Sequence, residues 1–306
     1  MNNDKQKIAS KQIKSVTNIS IGTNIILTAA KVIIGLLAGS MAVVADGIHS
    51  LSDFVTDLAV LFGVHLGSKE ADLTHPYGHG RMETFSAAFV AVVLVVVGLG
   101  MIYYAALDIA KGNVIVPNMA MVIVTIASIA SKEWLYQITK KVAIKSHSAA
   151  AYANAWHHRS DAFSSVAVLI GIISLKFGFS FGDQVAAIAV GLMIMWVGVS
   201  VIWDTLQELT EGAVDQDTIR QVESIISATP SIRQWHQLRT RTVGREMFLD
   251  VHILVDPNLD VAAAHEVSEW LENALQAEIT RPVNIVVHIE PDLPTERLEG
   301  LPAQRK

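Results

Sequence analysis

Long apolar runs are the feature that most constrains this chain. A helix needs about 20 consecutive, mostly apolar residues to cross the hydrocarbon of a bilayer. Six such runs follow one another, at roughly 16–39, 41–66, 83–107, 115–137, 149–176 and 182–207. In lipid every backbone polar group must be satisfied within the structure, so runs of this length read as membrane helices. Composition agrees: of 306 residues, 51% are hydrophobic and 17% charged, against about 25% charged in a soluble domain. The deficit ends near residue 212. It marks a boundary between a six-helix, all-α transmembrane domain over 1–211 and a soluble domain over 212–306 with a flexible tail.

Lys and Arg set the expected orientation, because they stay on the cytosolic side. Lys5, Lys7, Lys11 and Lys14 precede the first run. Lys69 and Arg81 lie between the second and third, and Lys140, Lys141 and Lys145 between the fourth and fifth. The opposite loops offer Lys111 and Lys176. Both termini are therefore expected in the cytosol. The polar, lysine-rich start lacks the pattern of a cleavable signal, so the first run reads as a retained span.

The segment after 212 alternates like a small α+β domain. Asp215 to Ala228 places Ile219, Val222, Ile225 and Ile226 on one helical face. Gln237 to Val243 and Met247 to Leu254 alternate like strands around a turn at Gly244. Val261 to Ala277 is an amphipathic helix, and Val283 to Ile289 a last strand. The order αββαβ fits a three-stranded sheet covered by two helices.

Several function classes fall away. The net charge of −6 gives no basic excess for nucleic acid. There is no cysteine, which removes disulfides and thiolate metal sites. No G-x-x-x-x-G-K-[ST] motif occurs, so nothing points to ATP. Any metal must be held by imidazole and carboxylate, donors better suited to Zn²⁺, Mn²⁺ or Fe²⁺ than to Cu⁺.

Such donors recur in pairs. His49 and Asp53 stand four apart in the second run, and His157 and Asp161 four apart in the fifth. Residues at i and i+4 share a helix face. Each pair can thus aim one nitrogen and one oxygen at a single point, and two facing pairs complete a tetrahedral set for Zn²⁺. Ionisable groups inside a membrane usually mark an ion or proton path. The alternative is that they satisfy one another by interhelical hydrogen bonds. The stripe continues through Asp57 to His65, which also fits a helix facing a polar protein interior. Arg159 is expected to pair with a carboxylate near the headgroups.

Two further clusters carry ligand-type residues. The loop KEADLTHPYGHGRME, 69–83, holds Asp72, His75 and His79, with Pro76 and Gly78 shaping the turn. The C-terminal domain holds His236, His252, His265, His288 and Glu290. A charged connecting loop and ordinary surface histidines are the alternatives.

Taken together these motifs resemble the cation diffusion facilitator family over nearly the whole chain. ADGIHSLSD in the second run and HHRSD in the fifth look like the family's core motifs. HPYGHGRME resembles its loop motif HxxGHGKxE, and HQLRTR and VVHIE resemble motifs of its cytosolic, metallochaperone-like domain. The resemblance implies a homodimer in the cytoplasmic (inner) membrane of a bacterium that exports Zn²⁺ for protons by alternating access, and not an enzyme. It implies a transport site at His49, Asp53, His157 and Asp161, and a loop site at Asp72, His75 and His79. In the tail it implies a structural metal at His236, His252, His265 and His288. Glu290 stands where the zinc exporters carry Asp, and Ile289 where they carry a polar ligand, which counts against two metals there. Arg81 and Glu211 stand where the family ties its loop to the start of the tail. Fe²⁺, Mn²⁺ or Cd²⁺ as cargo, and a non-transporting metal sensor or scaffold, remain the other readings.

Overall fold

The computed structural model describes residues 2–37, 52–111, 119–176 and 182–294, and these form two compact units, Ile8–Leu206 and a second comprising Gln207–Lys306 with Met1–Lys7. Among the described residues, six helices make up the first, the first and last of them running past its bounds: α1 (Asn2–Leu37), α2 (Ser52–Gly67), α3 (Arg81–Lys111), α4 (Met119–Ser146), α5 (Ala149–Lys176) and α6 (Gly182–Leu209). Among the described residues, three segments are long and apolar enough to cross a membrane: Lys7–Ile33, Arg81–Lys111 and Ala187–Leu209. Helix α2 contributes a shorter apolar stretch, Thr56–Gly67. The described part of the expected run at 115–137 belongs to a helix that extends beyond it, because α4 continues to Ser146. Helical hydrogen bonding does not stop where the apolar window ends, and Lys140, Lys141 and Lys145 extend it.

The first unit buries a set of polar residues among small and apolar ones and exposes large apolar residues. Thr17, Ser20, Asn24, Asp57, Lys132, Asn154, His157 and His158 are all buried. Phe62, Phe85, Val96, Leu99, Trp196 and Trp203 are exposed. Such a continuous apolar exterior is stable only against lipid or a partner. The helices meet over small residues, with Ala87, Ala91, Ala143, Ala150, Ala151 and Ala153 in the core. Small residues let backbones approach closely where hydrophobic burial gives no net drive. Gly98 and Gly191 take this furthest: a Cβ on Gly98 would stand 2.7 Å from the Gly191 carbonyl oxygen. Helix α4 packs against α5, and α2 and α3 pack against each other and against α5.

The second unit has the opposite pattern. Its elements are α7 (Gln216–Ala228), β1 (Gln234–Val243), β2 (Glu246–Val255), α8 (Val261–Glu278) and β3 (Val283–Pro291). The sheet order is β1-β2-β3, with β1 antiparallel and β3 parallel to the central β2. Asp215 caps α7 by accepting from the Thr218 amide at 2.9 Å, and Asp260 caps α8 by accepting from the Ala263 amide at 2.8 Å. The β1–β2 turn is Gly244-Arg245, with Gly244 at φ +59°, the left-handed position that a two-residue hairpin needs. Val222 and Ile226 of α7, Met247, Leu249, Val251 and Ile253 of β2, and Leu271 and Leu275 of α8 form the core. β1 begins at Gln234, earlier than the expected Gln237, and its register shifts between His236 and Arg239. Gln237, at φ +50°, sits inside this bulge.

Candidate metal centres

In the membrane unit α5 presents His157 and Asp161 as one i, i+4 pair, Nε2 to Oδ2 at 3.9 Å. His157 is 2% exposed. Lys132 Nζ, from α4, donates to the same Asp161 Oδ2 at 3.0 Å. His49 lies outside the described residues. Asp53 lies in the first turn of α2, with its side chain outside them. Arg159 turns away from this site: it donates to the Tyr136 hydroxyl at 2.6 Å, lies over that ring, and faces Glu133 at 3.9 Å, the expected carboxylate partner.

One turn from Asp53, Asp57 of α2 is completely buried. Its carboxylate accepts from Ser20 at 2.8 Å, Asn24 at 3.1 Å and Asn154 at 2.7 Å, and His158 Nε2 lies 3.8 Å away. Three helices, α1, α2 and α5, are thereby joined through one side chain. Spacing alone could not divide the Asp53–His65 stripe. Burial divides it, because His65 meets Lys14 Nζ at 3.4 Å while Asp57 is enclosed. Sequence reasoning passed over Ser20, Asn24 and Lys132. The signal for the last was a single cation, beside Glu133, inside a mostly apolar run.

The loop between α2 and α3 folds around Asp72. Its Oδ1 accepts from the Thr74 amide at 2.8 Å, the Thr74 hydroxyl at 2.7 Å and the His75 amide at 2.7 Å. The Thr74 hydroxyl, then the amides of His75 and Thr74, hold the Asp72 carboxyl well below the usual range, so it stays ionised and ready to ligate. His75 Nδ1 and His79 Nε2 each stand 3.6 Å from this carboxylate, and the two rings are 4.3 Å apart. One potential ligand atom from each residue falls within 4.8 Å of the others. His79 Nδ1 is buried with no hydrogen-bond partner. Gly78, at φ +78°, makes the return that brings His79 back.

In the tail the sheet register builds the site. His236 pairs with His252 across β1–β2, and His252 pairs with His288 across β2–β3. Three imidazoles therefore stand on one rung, at the roughly 4.8 Å spacing of neighbouring strands. Glu290, two residues after His288, returns to the same face. Its carboxylate accepts from His236 Nε2 at 2.8 Å and His252 Nδ1 at 2.7 Å, and His288 Nε2 is 3.5 Å away. Burial raises the Glu290 pKa, but the hydrogen bonds from His252 and His236 outweigh it, and the net shift is downward. His236, His252 and Glu290 can each place one ligand atom within 4.8 Å of the others, and the buried His236 Nδ1 has no partner. A divalent ion fits these donors. His265 stands apart on α8, exposed, with Glu269 at 3.5 Å.

Arg81 opens α3 in the first unit. Glu211, in the second, lies 3.2 Å from Arg241 Nε.

Residues 18–210 match the family model described as the cation efflux transmembrane domain, and 214–292 that of the cation efflux protein cytoplasmic domain. Metal tolerance protein C1 of Arabidopsis thaliana is 34% identical over 295 residues, 91% of this chain; the chain spans 62% of that relative's length. Magnetosome protein MamB of Magnetospira sp. is 34% identical over 268 residues, 88% of this chain and 92% of the relative. The manganese efflux system protein MneP of Bacillus subtilis is 30% identical over 298 residues, covering 95% of this chain and 99% of the relative.

Proposed function

The chain belongs to the cation diffusion facilitator family of metal cation efflux transporters, and from that premise we propose that it exports Zn²⁺ in exchange for protons. The observation that carries the reading is the His157–Asp161 pair, a buried imidazole beside a half-buried carboxylate, in a helical unit with apolar residues on its exterior. His49 and Asp53 supply the matching pair from the second run. Two nitrogens and two carboxylate oxygens make a set that Zn²⁺ accepts in tetrahedral geometry.

The transport cycle follows from the donors. Zn²⁺ enters from the cytosolic side and binds neutral imidazole and ionised carboxylate, so binding releases protons. The helices then shift and open the site to the other side. Protons arriving there compete for the imidazoles, and the ion leaves. The chain works as a homodimer in the inner membrane of a bacterium, with both termini in the cytosol. The loop residues Asp72, His75 and His79 form a second metal site at the membrane edge. In the tail, His236, His252, His288 and Glu290 would hold a resident Zn²⁺ that links protomers, with His265 as an outlying ligand.

A second cargo has its own support. MneP of Bacillus subtilis is named for manganese efflux, and Mn²⁺ prefers oxygen-rich, six-coordinate sites. The two imidazoles favour Zn²⁺. Competition uptake into proteoliposomes with Zn²⁺, Mn²⁺, Fe²⁺ and Cd²⁺, across a pH series, separates them. Zn²⁺ should be taken up in preference and should drive proton counterflow. Saturable Mn²⁺ uptake that excess Zn²⁺ fails to inhibit would replace this reading with the second.

A further inference from the structure

Lys132 is 2% exposed inside the membrane unit. An ammonium is costly to hold there, and the ones that occur face the interior and pair. Its Nζ stands 3.0 Å from Asp161 Oδ2, the oxygen that lies 3.9 Å from His157 Nε2. Two helices thus converge on a single carboxylate oxygen, α5 with an imidazole and α4 with a fixed positive charge. Resting on the reading of Asp161 as a transport ligand, we propose that Lys132 is a tethered cation that competes with the transported ion for the Asp161 carboxylate.

The physics runs in two directions. An oxygen that accepts from an ammonium has less electron density to give a metal, and two cations a few ångströms apart repel strongly in a low-dielectric interior. Lys132 therefore weakens metal binding and speeds release. After release the same ammonium leaves Asp161 paired. A carboxylate buried without a partner is strongly destabilising, so the pair also eases the return of the carrier. Lys132 acts through Asp161 and is a positioning residue, not a ligand. A purely structural role, clamping α4 to α5, makes a different forecast: removing it would loosen the unit and weaken metal binding.

The test uses the full-length protein, as wild type, Lys132→Gln, Lys132→Met, Lys132→Arg and Asp161→Ala. Zn²⁺ affinity is measured in detergent, KM and kcat for Zn²⁺ in proteoliposomes, and thermal unfolding on each. Lys132→Gln and Lys132→Met should bind Zn²⁺ at least tenfold more tightly and lower KM, while kcat falls several-fold. Lys132→Arg, which keeps the charge, should stay near wild type in both. Unchanged or weaker Zn²⁺ affinity in both neutral variants, with Asp161→Ala inactive, would overturn the proposal and leave Lys132 a clamp. Wild-type transport by Asp161→Ala would instead remove the site on which the proposal rests.

Discussion

The two units solve the burial problem in opposite ways. In the tail, α7, α8 and β2 enclose Ile226, Leu249, Ile253 and Leu271. In the membrane unit Asp57, Lys132, Asn154 and His157 are enclosed while Phe62, Val96 and Trp203 face out. The first arrangement draws its stability from water leaving apolar surface. The second cannot, and relies on close helix approach at Gly98 and Gly191 and on hydrogen bonds such as those to Asp57. The contrast explains where metal ligands can do transport. Donors enclosed by lipid-facing helices control an ion's path, whereas donors on a sheet such as His236, His252 and His288 can bind it and report on it.

The largest effect that should separate the units comes from truncating apolar side chains. Leu271→Ala opens a cavity in the tail core and should cost about 2–5 kcal/mol. Val96→Ala, on an apolar outward face, should cost much less in detergent. Chemical unfolding of the full chain, followed by separate probes in each unit, measures both. Equal losses would break the inside–outside distinction.

Zinc binding gives the next effect. Saturating Zn²⁺ at 100 times its Kd should add about 2.7 kcal/mol to the tail's stability by mass action. The His236→Ala, His252→Ala, His288→Ala triple variant should remove that gain. Thermal unfolding with and without Zn²⁺ reads it, and a gain that survives in the triple variant would place the tail metal elsewhere.

The smallest concerns a cap. Asp215→Ala should cost the tail about 1 kcal/mol near neutrality. The Thr218 amide and hydroxyl hold the Asp215 pKa below its ordinary 3.8. Because the folded value is the lower one, the contribution is fully present above the unfolded pKa and fades as pH falls through the folded one. The wild type and the variant should therefore converge in acid. A gap that persists below the folded pKa would assign the effect to packing rather than to charge.

Much of the tail was legible because its periods are clean. Ile219, Val222, Ile225 and Ile226 fix one helix face, and alternation through Met247–Leu254 fixes the central strand. The bulge at Gln237 was not, since glutamine carries no turn signal and only pairing with His252 and Asp250 shows the shift. In the membrane unit, His157 and Asp161 were legible from i, i+4 spacing. Lys132 was hidden because averaging hydropathy over a span erases one cation. Its meaning depends on α4 lying beside α5, which no local pattern encodes. The second pair, His49 and Asp53, has its side chains outside the described residues and rests on spacing.

The central claim is that the membrane unit carries the ion and the tail does not. Zn²⁺ flux into sealed proteoliposomes, recorded with lumenal pH, tests it with Asp161→Ala beside the triple tail variant. Asp161→Ala should show neither Zn²⁺ uptake nor proton counterflow while it keeps Zn²⁺ binding at the tail. The triple variant should still transport, at a reduced rate. Wild-type flux in Asp161→Ala, or complete loss of flux in the triple variant alone, would contradict the claim.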